Sequence, residues 1–299
     1  MNAPIERYLK FEPESLAAEE LHRQLAFFNR KRMLPAFPDP QWRQELGDEM
    51  RSRIEEGAFI ESERRAIAEA VLQAPHDVDG FMQWFEHLMH EGPGQGDRLF
   101  PWLAAEADLE QMRWFITQEV AGEAGFEDLL AMTQLRMPTQ AKLEMARNYW
   151  DEMGRGKEVG MHGPMLELVV SELQLNPSID GTVRESLALG NLMAALAHDR
   201  RYAYQSVGAL GVIEMTAPGR VSQVNQGLAR LGVSSAGRRY FQLHANLDVA
   251  HSREWNNEVI RPLVAGDTRC VRAIAEGALL RLRAGARCFE RYRHELGVP

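Results

Sequence analysis

Apolar residues recur at intervals of three and four along most of the chain, while alternating β-branched runs bounded by tight turns are scarce. The pattern predicts an all-α protein. Up to about His90, helical stretches such as LAAEELHRQLAFFNRKR and SERRAIAEAVLQA are separated by proline-bearing breaks at FPDP and QAPHD. The glycine-rich EGPGQGD then reads as a linker between an N-terminal helical extension, residues 1–95, and a helical bundle, residues 96–299. Beyond it longer helices are expected over roughly 101–121, 140–153, 164–173, 182–198, 202–216, 236–255 and 271–296. Helices of this length can form a bundle whose interior holds a site built from facing side chains.

Composition narrows the setting. With 299 residues, 45% of them hydrophobic, the chain can bury a sizeable core without covalent staples. Cys270 and Cys288 lie 18 positions apart, without metal-binding spacing or a secreted framework, so thiols in a reducing compartment are expected. A formal charge of −9, with no dense Lys/Arg run to offset it, disfavours nucleic acid and anionic membranes as partners. The opening residues have acids and no apolar run of signal-peptide type, and nowhere do about 18 uncharged apolar residues run together. A cytoplasmic protein is the expectation.

Three segments carry candidate chemistry. In FQLHANLDVAHSREW, His244 and Asp248 are four positions apart and Asp248 and His251 three, so all three project from one helix face. Imidazole with carboxylate favours iron, manganese or zinc over calcium or magnesium. The same triplet also suits a wet helix face carrying an Asp–His ion pair. Glu214 shares a face with Ala203, Val207, Leu210 and Gly211, a close-packed apolar stripe. A carboxylate buried there must be protonated, paired with a cation or bound to metal. Close ahead of Ala217 and Pro218, it could instead reach water at a helix end. In NYWDEMGRGKEVGMHGPMLELVV a helix ends near Glu152, and Gly154, Gly156 and Gly160 permit a reversal before His162 opens the next one. Glu152 and His162 can then face one centre, although a solvated helix end is the plainer reading. His87 and His90 in FEHLMHEG could bind zinc, but flanking acids and their place before the linker favour a surface role. No nucleotide-binding glycine loop, serine elbow or Cys–His pair is apparent.

Together these residues resemble the heme-oxygenase-like di-iron oxidases and oxygenases, also described as iron-containing redox enzymes. The resemblance covers roughly 101–295. It rests on Asp151–Glu152 followed by glycines and His162, on Glu214 in a small-residue helix introduced by Arg200 and Arg201, and on His244, Asp248 and His251 about thirty residues later. It implies a heme-oxygenase-like bundle with Glu152, His162, Glu214, His244, Asp248 and His251 as the ligands and catalytic residues of two Fe(II) ions. A further carboxylate from the first long helix is implied at Glu119, or alternatively Glu123. Three carboxylates against the four positive charges of two ferrous ions leave the site net positive, and Glu119 would neutralise it.

The resemblance further implies an O2-dependent oxygenase or oxidase, with O2 as co-substrate and an external reductant, acting on a small polar amine or amino-acid-like molecule. N-oxygenation in specialised biosynthesis is the first expectation. The alternatives are oxidative C–C cleavage, decarboxylation or desaturation, or a non-catalytic iron-binding helical protein. The expected partners are a small-molecule substrate and an electron donor, with a homodimer left open. Arg200, Arg201 and Arg220, around the ends of the Glu214 helix, are candidate anchors for a substrate carboxylate, because a guanidinium can clamp one with two parallel hydrogen bonds.

Overall fold

In the computed structural model the described residues are 15–123 and 125–299; the side chains of 15–17, 121–123, 126 and 246–249 are not among them. Their helices are α1 (Ser15–Met33), α2 (Trp42–Ala66), α3 (Ala68–Val71), α4 (Val78–Glu91), α5 (Leu99–Ala105), α6 (Leu109–Glu123), α7 (Phe126–Thr133), α8 (Thr139–Glu152), α9 (His162–Glu172), α10 (Arg184–His198), α11 (Ala203–Arg230), α12 (Arg239–Glu254), α13 (Arg261–Gly266) and α14 (Arg269–Leu296). No strand occurs among the described residues, so the chain is all-α as its periodicity predicts. None of the described helices is long and apolar enough to cross a membrane. Cys270 and Cys288 are buried free thiols.

The centre of the bundle is α11, which packs against α14, α12 and α5. Glycine makes the tightest of these approaches possible. A Cβ at Gly208 would lie 2.0 Å from the Ile274 carbonyl oxygen, and one at Gly277 1.8 Å from that of Gln205. The two helices therefore touch backbone to backbone. Residues before the linker join the same core: Ile60, Phe81 and Phe85 belong to one buried cluster with Leu103, Leu210 and Ile274. Polar ties add direction to this docking, with Asn29 donating to Asn191 Oδ1 at 2.8 Å and Arg64 and Arg287 paired with Glu276 and Glu63, each at 2.8 Å.

Several boundaries differ from those the pattern predicts. The helix expected over 101–121 is split into α5 and α6 by a capping box, in which Asp108 accepts from the Gln111 amide and Gln111 from the Asp108 amide. The Glu214 helix does not stop near Thr216 but runs through Pro218 to Arg230. Proline has no amide hydrogen, so the Glu214 carbonyl loses its usual helical donor at the very residue expected to carry chemistry. A π-helical turn, Trp255–Ile260, joins α12 to α13, and Trp255 donates its indole N–H to the Val207 carbonyl at 3.2 Å. Gly211 leaves room for that indole, since a Cβ there would sit 2.6 Å from its nitrogen.

Docking of α1 leaves a pH signature. His22 is buried edge-on against Phe59, with its Nδ1 unpartnered among the described residues, and burial, with Arg184 and Arg287 nearby, pushes its pKa down to about 4. The unfolded chain binds this proton more readily than the folded one. Stability is therefore full above the ordinary histidine value and falls as the pH drops from about 6.5 towards 4, by ~3 kcal/mol at most. His22→Leu should flatten that acid limb in denaturant unfolding measured from pH 7 to 4; an unchanged slope would remove His22 as its source.

Candidate metal centre

The site begins where α8 ends. Gly154, Arg155 and Gly156 take left-handed conformations with φ of 60°, 53° and 78°, and a backbone bridge between Met153 and Met161 closes the loop they form. A Cβ at Gly154 would lie 2.3 Å from the Gly160 carbonyl carbon, so the reversal requires glycine there. Its consequence is that the last residue of α8, Glu152, stands beside the first of α9, His162, with both side chains buried and Glu152 Oε2 against His162 Nδ1.

α11 and α12 complete the centre. Two groups of three side chains, Glu152 with His162 and His244, and Glu152 with Glu214 and His251, each bring their ligand atoms within 4.8 Å of one another. Glu152 is common to both. Asp248 lies on α12 between the two histidines in sequence; its side chain is outside the described residues.

Neighbouring groups fix which atoms face the centre. His244 Nδ1 lies 2.9 Å from the Tyr240 carbonyl. A carbonyl can only accept, so that nitrogen carries the proton and Nε2 is left with a lone pair. His251 Nε2 lies 3.3 Å from Asp151 Oδ2, and Asp151 is held in turn by Arg155 Nε at 2.5 Å. This is the carboxylate–histidine arrangement that orients metal-binding imidazoles. The remaining His251 nitrogen, Nδ1, points at Glu214 Oε2 across 3.6 Å. A lone pair facing a carboxylate needs a cation between them, either a proton or a metal. Asn148, one turn before Glu152, donates to Glu214 Oε1 at 2.9 Å and sets the other side of that carboxylate.

Electrostatics tell the same story. Burial, with Glu214 adding to it, pushes Glu152 up to about 8, and burial pushes His162 down to about 4. Burial acts to lower His251, but the negative charge of Glu214 facing its Nδ1 and the hydrogen bond to Asp151 outweigh it and raise the pKa to about 9. Both ring nitrogens of His162 and Nδ1 of His251 are buried without a hydrogen-bond partner among the described residues; His162 touches Glu152 but not in hydrogen-bonding geometry. Buried polar atoms are seldom left so. Imidazoles and carboxylates with free lone pairs suit iron, manganese or zinc.

Glu152, His162, Glu214 and His244 form part of the wall of a cavity of about 400 Å³, lined elsewhere by apolar side chains including Phe115, Ile116, Leu189 and Ile213. Glu127 of α7 also lines it, and its charge acts on both Glu152 and His162. The resemblance places the extra carboxylate on α6, at Glu119 or Glu123. Glu119 does reach the cavity, but it hydrogen-bonds the Tyr292 hydroxyl and joins neither three-residue group; the Glu123 side chain lies outside the described residues. Neither Glu127 nor Asn148 was anticipated, although Asn148, four positions before Glu152, shares its face.

The three candidate arginines part company. Arg220 lines the cavity, donates to Thr216 Oγ1 at 3.0 Å and lies over the rings of Phe289 and Phe100, 5.3 and 5.8 Å from their centroids. It is inside α11 rather than past its end, because the helix continues through Pro218. Arg200 instead caps α7, donating to the carbonyls of Met132 and Thr133 at 3.0 and 3.2 Å, and exposed Arg201 lies beside Asp199 and Tyr202; neither lines the cavity. His87, exposed on α4, pairs with Glu91 at 3.0 Å, and among the described residues neither it nor His90 belongs to a metal-capable group.

No curated protein matches the chain. One family, the iron-containing redox enzymes, matches residues 113–286, more than half of the 299 residues, and the match takes in the loop, α11 and α12 that build the centre. With this match and its helical bundle, the chain has the heme-oxygenase-like fold and belongs to the iron-containing redox enzyme family.

Proposed function

We propose that the protein is a non-haem di-iron, O2-dependent oxygenase that transfers oxygen to the nitrogen of a small amine or amino-acid-like substrate. The observation that carries this reading is the sharing of Glu152 by two three-donor groups, which offers two adjacent ions a common carboxylate. Glu152, His162 and His244 would hold one ion, and Glu152, Glu214 and His251 the other, with Asp248 on the same helix face as its histidines. Two ferrous ions held there would supply the two electrons by which one atom of O2 leaves as water while the other passes to the substrate nitrogen, and an external reductant would restore them.

The protein's own groups do the rest. Asp151 and the Tyr240 carbonyl fix the tautomers of His251 and His244. Asn148 holds Glu214 in place. The apolar wall excludes water from the reacting end, and Glu127 offers a carboxylate beside the centre to attract an amine and take up its proton.

Anaerobic loading with ferrous iron tests this reading. We expect about two iron equivalents per chain, O2 uptake that accelerates with one member of an amine panel, and a product heavier by one oxygen on nitrogen. Products lacking a C–C bond or two hydrogens would move the assignment to cleavage or desaturation. Stable iron inert to O2 would make the protein an iron binder.

A further inference from the structure

Arg281 of α14 is a buried cation that no described side chain engages by a hydrogen bond or ion pair. Its side chain lines the cavity and is only 8% exposed, its Nε is unpartnered, and among the described residues no hydrogen bond or ion pair engages its guanidinium. Other arginines tied into the bundle are matched, Arg32 with Glu56 at 2.7 Å and Arg287 with Glu63 at 2.8 Å. A guanidinium cannot shed its proton, and burying one unpaired is costly. Tyr292 bonds Ser186 at 2.7 Å, and Glu119 bonds the Tyr292 hydroxyl.

Arg281 shares its surroundings with a second cation. Its Nη1 and the Phe289 ring border the same point above Gly285, at 2.8 and 3.7 Å, and Arg220 lies over that ring. Both guanidiniums line the cavity together with the carboxylate of Glu119. The metal-binding end is separate, since Arg220 is six residues beyond Glu214 on α11, about 9 Å along the helix axis. Ala217 lines the wall between them.

We infer that Arg281, which shares the cavity wall and the Phe289 ring with Arg220, is a binding site for an anionic group of the substrate, a carboxylate held at the far end of the cavity from the metal-binding side chains. This rests on the proposed reading of the cavity as a substrate site. The substrate class that fits carries a carboxylate at one end, an apolar middle against residues such as Ile116 and Ile213, and the group to be oxidised at the other. At about 30 Å³ per water-sized group, the cavity takes roughly a dozen non-hydrogen atoms. 8-Aminooctanoate is a molecule of that size and polarity.

Calorimetric titration of the full chain, both metal-free and anaerobically loaded with ferrous iron, tests the site with 8-aminooctanoate, octanoate, octanamide and octylamine. Both carboxylates should bind each form at least ~10-fold more tightly than octanamide, the margin of a charge-assisted pair. Arg281→Met should remove that margin while leaving octanamide binding and iron content unchanged, and Arg281→Lys should restore part of it. Removing a buried charge that no hydrogen bond engages should also raise the Tm of ligand-free Arg281→Met, whereas a structural role would lower it. The inference is overturned if neither carboxylate binds the wild-type chain, if Arg281→Met binds them normally, or if binding requires iron but not Arg281. The iron count and O2 uptake without carboxylate judge the proposed function separately.

Discussion

On the proposed two-iron reading, Glu152→Ala will empty both metal positions, whereas His244→Ala and His251→Ala will each empty one. The asymmetry follows from geometry, because Glu152 belongs to both three-donor groups while each histidine belongs to one. With Glu152 gone, His162 and His244 on one side, and Glu214 and His251 on the other, keep two donors apiece from these groups. Loss of a partner that merely orients a ligand already costs 10–100-fold, so loss of a shared ligand should cost iron affinity more than about 100-fold at both positions. Iron per chain should then fall from about two to below ~0.5 in Glu152→Ala and to about one in either histidine variant. Glu152→Gln keeps the shape and removes the charge, and should resemble the alanine variant in iron content while retaining the wild-type helical signal. Metal analysis after desalting decides the matter. A Glu152→Ala protein that keeps one tightly bound iron would show that the two groups do not depend on a common carboxylate.

Much of this centre was legible in the sequence because its parts are local. His244 and His251 are one seven-residue step apart on a helix, and Glu152 and His162 are joined by a loop whose glycines announce a reversal. Glu214 betrayed itself by its apolar face, and it is indeed buried, with only 3% exposure. What periodicity cannot carry is information about partners far along the chain. Arg200, Arg201 and Arg220 look alike as arginines near helix ends, yet one caps α7, one is exposed and one enters the cavity. Arg281 gave no sign at all, since a basic residue on a mostly basic helix reads as a solvated face. The break between α5 and α6 was readable in principle from Asp108 and Gln111, and was hidden by apolar spacing that continues across it. Pro218 misled in the opposite sense: an isolated proline is a sound stop signal, but here packing carries the helix through.

The largest stability effects should come from two residues with no chemistry. Gly208→Ala and Gly277→Ala each put a methyl group at the α11–α14 crossing, 2.0 Å from the Ile274 oxygen and 1.8 Å from the Gln205 oxygen respectively. Carbon and oxygen settle no closer than about 3.3 Å even in the tightest backbone contacts. Neither obstacle is a side chain that can rotate away, so the helices must separate by more than about 1 Å. Alanine's better helix propensity returns only ~1 kcal/mol. Each variant should therefore lose about 3 kcal/mol, the upper end of the range for overpacked cores. A single separation relieves both clashes, so the double variant should lose clearly less than the sum. Gly219→Ala is the control, on the same helix but with nothing within 4 Å of its added methyl, and should be neutral or slightly stabilising. Because Glu214 is six residues beyond Gly208 on α11, the Gly208 variant should also bind less iron at the position Glu214 serves. Denaturant unfolding of the four proteins, read with their iron content, tests the chain of cause from crossing to centre. Unfolding midpoints for the two single variants equal to that of Gly219→Ala would mean that α11 and α14 do not cross at these glycines.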